Sequence, residues 1–129
     1  MKNSFNKYER LKGRKAVGNL FDAGVRFNHF PFKIVYSITT NAQAEIKVGI
    51  SVSKRHFKRA VDRNMVKRHF REAWRVQKHD LLSDCIAANK SMHVFFIYIG
   101  GEIFPSATIH QKINTAISKL QTKINAYTE

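Results

Sequence analysis

Ten of the chain's 23 lysines and arginines crowd into residues 54–79, against only two acids there, Asp62 and Glu72. Cationic nitrogens bind phosphate oxygens, and arginine does so through two parallel N–H donors that match the oxygen pair. Spacing sharpens the point. At about 100° per residue, a helix from Lys58 to Lys78 gathers Arg63, Asn64, Lys67, Arg68, Arg71, Arg75 and Lys78 on one side. Val66, Phe70, Ala73 and Trp74 gather on another, the side that would pack on a sheet. Like charges four residues apart repel by about 0.2–0.5 kcal/mol per pair. A polyanion laid on this face removes that repulsion. The alternative is a solvated surface, but ordinary solvated helix faces mix signs. The basic face with Lys54, Arg55, Lys58 and Arg59 just before it is therefore read as a nucleic-acid contact. Helix geometry alone does not separate RNA from DNA.

Catalytic chemistry finds fewer supports. A two-metal nuclease needs clustered carboxylates, whereas the nine acids are scattered. The six histidines (His29, His56, His69, His79, His93 and His110) show no metal-ligand spacing and are read as surface or core residues. Cys85 is the only cysteine, so neither a disulfide framework nor a thiolate metal cluster is expected. No glycine-rich phosphate loop, nucleophile elbow or zinc pattern is present. No catalytic residue and no protein-held metal or cofactor is expected.

Elements must position the basic face. Ala16, Val17, Leu20 and Phe21 have helical spacing from Lys15 onward, and Gly24 stands where a left-handed cap is expected. Phe32, Ile34, Tyr36 and Ile38 alternate with Lys33, Val35 and Ser37, which predicts a strand. Pro31 separates it from a possible shorter extended piece around Phe27 to Phe30. Asn41-Ala42-Gln43 reads as a turn, and Val48, Ile50 and Val52 alternate with Gly49, Ser51 and Ser53 as a further strand. After the long helix and a polar stretch from Ser83 to Ser91, Val94-Phe95-Phe96-Ile97-Tyr98-Ile99 is apolar on both faces and reads as a central strand closed by Gly100-Gly101. A last helix opens at Pro105 with Ser106 as N-cap, and Ile109, Ile113, Ala116, Ile117, Leu120 and Ile124 make one stripe along it. The order is α-β-β-(β)-α-β-α, an α+β chain in one domain over residues 1–129. Phe70, Trp74, Ile97 and Ile117 are expected in a common core. Residues 1–13 are basic, without periodicity, and are expected to lie loosely on the body.

Charge distribution limits the partner. The formal net charge is +14 over 129 residues. Residues 1–15 hold six basic residues and one acid, Glu9, so with residues 54–79 they leave the rest nearly neutral. Solubility alone would spread the charge; a polyanionic partner accounts for its concentration. The longest apolar run is strand-sized and the N-terminus lacks an apolar targeting region, so a cytoplasmic protein without a membrane partner is expected.

A resemblance rests on two stretches: Val48-Gly49-Ile50-Ser51-Val52-Ser53-Lys54-Arg55, and Arg59-Ala60-Val61-Asp62-Arg63-Asn64-Met65-Val66-Lys67-Arg68-His69-Phe70-Arg71-Glu72. Together they resemble the signature of the bacterial ribonuclease P protein component: a strand ending in Ser-x-(Ser/Ala)-Lys-Lys, then Ala-Val-x-Arg-Asn-Arg-x-Lys-Arg-x-x-Arg. Arg10-Leu11-Lys12, the Phe21-to-Gly24 helix end and the late strand–helix pair lie in family order, so the resemblance covers nearly the whole chain. Met65 departs from it, standing where the family has a second arginine, and Val17 stands where an aromatic is often found.

The resemblance implies a two-layer α/β sandwich, mostly antiparallel, with a βαβ crossover that is left-handed against the general rule. It implies a non-catalytic subunit of an endoribonuclease whose catalytic RNA removes the 5′ leader of precursor tRNA by Mg²⁺-assisted hydrolysis. Its partners would be that RNA and precursor tRNA, with no protein partner required. The RNA contacts carried over are Lys54, Arg55, Lys58, Arg59, Arg63, Asn64, Lys67, Arg68, Arg71 and Arg75. Val17, Phe21 and Tyr36 become candidates for a leader cleft between the first helix and the sheet, where aromatic rings stack unpaired bases. For Phe21 and Tyr36 the competing reading is ordinary core. A ribosomal-type structural RNA-binding protein is the alternative function; it shares size and charge but not the Ala-Val-x-Arg-Asn pattern.

Overall fold

The computed structural model describes residues 10, 11, 13–40 and 44–127. Helix α1 (Arg14–Ala23) is followed by strands β1 (Val25–His29), β2 (Phe32–Thr40) and β3 (Ile46–Val52). Then come α2 (Ala60–Ala88), β4 (Lys90–Tyr98) and α3 (Ser106–Ala126). The four strands form one mixed sheet in the order β1-β2-β4-β3. β1 and β4 flank β2 antiparallel, while β3 runs parallel to β4, with α2 as the crossover between them. The short extended piece is thus a true strand, turned into β2 through Phe30–Pro31, a cis peptide bond. The expected Asn41–Gln43 turn lies outside the described residues.

Strand alternation divides the sheet into two faces. Phe32, Ile34 and Tyr36 on β2, Val48 and Val52 on β3, and Met92, Val94, Phe96 and Tyr98 on β4 pack with α2 and α3 in the main core. Val66, Phe70, Ala73 and Trp74 of α2 enter it, as does the whole apolar stripe of α3. On the other face α1 covers a smaller cluster of Leu11, Leu20, Val35 and Phe95, with Ala16, Val17, Phe21 and Ile97 at its rim. Ile97 therefore leaves the core expected for it. One step along β4 from Phe96, it points to the opposite side.

Helix α2 runs ten residues beyond Lys78, to Ala88. Leu81 and Cys85 continue its buried face past the polar Ser83 and Asp84. Asn89 ends it in the left-handed region at φ 57°, its N–H donating to the carbonyls of Cys85 and Ile86. Gly24 is not the left-handed cap expected, since its φ is −75°. Glycine is required there by crowding: a Cβ would lie 2.5 Å from the Leu20 carbonyl oxygen and 2.7 Å from a Val35 methyl. Ser106 is the first helical residue of α3, with Pro105 at the cap position and no side-chain cap bond. The N-terminal segment is held more firmly than expected where it is described. Arg10 bridges Val48, and the N–H of Leu11, itself buried, donates to the Val48 carbonyl at 2.8 Å.

Burial pushes the Cys85 thiol up to about 11, with the Asp84 charge adding to it. Thiolate is the reactive form. At pH 8 the folded protein should resist a thiol reagent and release its single equivalent only on unfolding; rapid labelling of the native protein would contradict this packing.

Candidate RNA-binding surface

Side-chain positions on α2 follow from what its apolar face must do. Val66, Phe70, Ala73 and Trp74 are all 1% exposed or less. That anchors the helix rotation and turns Asn64, Lys67, Arg68, Arg71 and Arg75 outward or to the rim. A groove of about 390 Å³ runs along this side, lined among others by Asn64, Met65, Arg68, Arg71 and Arg75. The loop before the helix repeats the division of labour. Phe57 drops into the core, its ring 6.1 Å from that of Tyr98, while Lys54, Arg55, Lys58 and Arg59 stay exposed. The Ser53 hydroxyl accepts the Arg55 N–H at 3.0 Å, and the Ser53 carbonyl accepts the Phe57 N–H at 3.1 Å. No side chain caps the start of α2, so its first N–H groups add partial positive charge beside these residues.

Three expectations change. Arg63 donates to the carbonyls of Phe57 at 2.6 Å and Lys58 at 2.9 Å, so part of its guanidinium holds the loop to the helix. Arg75 pairs with Glu72 at 2.5 Å and 3.2 Å, so one acid does sit on the basic face and holds one of its cations. That pairing depresses the Glu72 carboxyl below its ordinary range. Lys78 leaves the face altogether and is 5% exposed. One turn beyond Trp74, its methylene stem belongs to the packed side.

Arg10 joins the surface from outside α2. Burial, and then the charge of Arg10, lower the basicity of Arg71, so the Arg10 charge is near enough to act on a residue of α2. Like charges near one another disfavour the charged form, and a nearby anion offsets that cost. The Arg10-Leu11-Lys12 motif was the available signal for it; Lys12 lies outside the described residues.

The candidate cleft is carried by the face under α1. Phe21 meets Phe95 edge-to-face with centroids 5.2 Å apart, and Phe21 and Val17 are both half-buried. Tyr36 is not part of it. It is 6% exposed on the main-core side, its ring 6.0 Å from Phe27, and burial raises its hydroxyl pKa. Cross-strand register puts Val35 opposite Phe95 and Tyr36 opposite Val94, so Val35 is the β2 residue beneath α1. Gly49 makes room for Phe95: a Cβ there would lie 2.6 Å from the ring. Among the described residues no three His, Cys, Asp or Glu side chains gather as metal ligands. Among those residues, too, no helix is long and apolar enough to cross a membrane.

Comparison with known proteins bears on the family and the fold. The family model described as Ribonuclease P matches residues 5–121. The ribonuclease P protein component of Porphyromonas gingivalis is 31% identical over 117 residues, covering 89% of this chain and 85% of its own. That of Chlorobium phaeobacteroides is 30% identical, covering 95% and 88%. Among solved structures, the Staphylococcus aureus ribonuclease P protein superposes with TM-score 0.68 at 22% identity, over 86% of this chain and 94% of that one. The Thermotoga maritima protein superposes with TM-score 0.66 at 21% identity, over 86% and 96%. The chain belongs to the bacterial ribonuclease P protein component family.

Proposed function

We propose that this chain is the protein subunit of a cytoplasmic ribonucleoprotein in which a catalytic RNA cleaves the 5′ leader from precursor tRNA. The observation that carries the reading is the division of α2: a fully buried apolar face, and Asn64, Lys67, Arg68 and Arg71 together on the rest. With the exposed Lys54, Arg55, Lys58 and Arg59, that surface binds the catalytic RNA through phosphate contacts. Val17 and Phe21, over Val35 and Phe95, receive the unpaired leader. Stacking on rings accepts any base, which suits leaders of differing sequence. The Mg²⁺ of the reaction belongs to the RNA; the protein's own residues position the two RNAs and screen their mutual repulsion.

The test mixes purified protein with the ribonuclease P RNA of the same organism and a precursor tRNA at low Mg²⁺. Cleavage at the mature 5′ end should rise sharply on adding protein, and protein alone should cleave nothing. An RNA whose cleavage and substrate affinity ignore the protein would refute the assignment and favour a structural RNA-binding role. Site-specific cleavage by RNA-free protein, lost on replacing one histidine, would refute the non-catalytic role.

Met65 offers a quantitative check. It is half-buried and lines the groove with Asn64 and Arg68. A thioether cannot neutralise phosphate, so Met65→Arg should steepen the log–log salt dependence of binding to the catalytic RNA by up to about 0.9. Arg68→Ala should flatten it by a similar amount. If Met65→Arg leaves the slope unchanged in a folded protein, position 65 does not face the RNA.

A further inference from the structure

The sheet edge opposite β3 carries a second cationic surface. Lys112, Lys119 and Lys123 of α3 lie on its side toward β1, while Asn114 and Gln121, on the other side, bond to Gln77 and Asp84 of α2. The Lys119 ammonium sits 5.8 Å from the centre of the Phe27 ring. Phe27, Lys119, Thr122 and Lys123 line a groove of about 360 Å³. It shares Lys123 with a second hollow of about 230 Å³ that reaches Val25, Tyr36 and Tyr127. His29 stands near the other end. Its buried Nε2 finds no hydrogen-bond partner among the described residues, and Lys112 and Lys119 are close enough to act on its charge. Neither β1, β2 nor α3 contains a single acid. Among the described residues no carboxylate pairs with any of the three lysines. Along the helix they step by about 10 Å and about 6 Å, a row that one phosphate backbone can follow.

We propose that this groove between β1 and α3 is a second RNA-binding surface, taking an unpaired strand with its phosphates on Lys112, Lys119 and Lys123 and a base on Phe27. A lysine already poised over a ring can turn to phosphate and leave the ring face to a base. The exposed β1 edge, with Val25 55% and Phe30 58% exposed, also has the form of a strand-pairing site. Two copies paired through β1, however, would set two uncompensated lysine rows side by side. Charge complementarity selects the polyanion.

The experiment titrates the full chain with a fluorescent oligouridylate across a range of salt. Lys112→Gln/Lys119→Gln/Lys123→Gln should flatten the log–log slope by about 2, as expected for three contacts to a single strand. The triple Lys→Arg variant should keep the slope, which separates charge from folding. Phe27→Leu should weaken binding by about tenfold at an unchanged slope. An unchanged slope in the folded glutamine variant overturns the proposal. So does an acidic peptide that competes as tightly as RNA, or a β1-paired dimer whose loss leaves oligouridylate binding intact. Catalytic-RNA binding is followed in parallel with Arg68→Ala. If Arg68→Ala weakens that binding while the lysines have no effect on the oligonucleotide, the α2 assignment stands and this one falls. The reverse pattern keeps the β1–α3 surface and removes α2 from the function.

Discussion

Replacing Trp74 with alanine should destabilise the protein by about 3–5 kcal/mol, the usual range for a buried aromatic. The indole is 1% exposed. It stacks on Phe70 with centroids 6.2 Å apart and meets Phe96 of the central strand at 5.8 Å. Truncation leaves a cavity between α2 and the sheet, where Phe70 and Phe96 are already fixed by Phe32 and cannot collapse into it. The functional consequence is direct, because Trp74 and its neighbours set the rotation that presents Arg68 and Arg71 outward. Chemical denaturation followed by circular dichroism measures the loss, and the denaturant slope should stay constant. Val76→Ala, at a position 38% exposed, serves as the control and should change stability by no more than about 0.5 kcal/mol. A Trp74→Ala protein within about 1 kcal/mol of the parent would mean that α2 is rotated, and the basic face with it.

What could be read from the sequence follows a physical divide. The apolar faces of α2 and α3 were legible because each buries one side only, so periodicity records the fold. β2 was legible as a strand, but not which of its faces lies under α1, because Ile34, Val35 and Tyr36 are all buried. Where three consecutive residues are buried, burial alone does not tell the face under α1 from the face under α2 and α3. Pairing with β4 decides it, and that is a long-range fact. The end of α2 was missed because Ser83 and Asp84 look like a loop, although Leu81, Cys85 and the Asn89 cap were all in view. Lys78 was misplaced for the opposite reason: its charge suggested water, whereas its stem is long enough to pack. The lysines of α3 form no run in the chain, and only folding brings them to Phe27 and His29.

Phe21→Ala should weaken binding of precursor tRNA to the assembled ribonucleoprotein by about 1–3 kcal/mol, the worth of one stacked base, and leave mature tRNA nearly unaffected. Phe21 is half-buried on α1, at the rim of the inner cluster of Leu11, Leu20, Val35 and Phe95, and meets the Phe95 ring edge-to-face. An ordinary core residue would lose stability and perturb both ligands alike, because α1 as a whole would loosen. A leader-stacking residue discriminates, because only the precursor has a leader to stack. Phe21→Leu divides the effect further: it keeps most of the apolar packing against the inner cluster but offers no ring. If Phe21→Leu binds precursor like the parent while Phe21→Ala does not, the side chain supports α1 rather than the leader. If both variants lose precursor affinity and retain mature tRNA, the ring is the contact. Val17, one turn earlier on the same face and without a ring, should show less than half the effect when changed to alanine. Val17→Phe should then strengthen precursor binding, since the α1 rim would present a second ring beside Phe21.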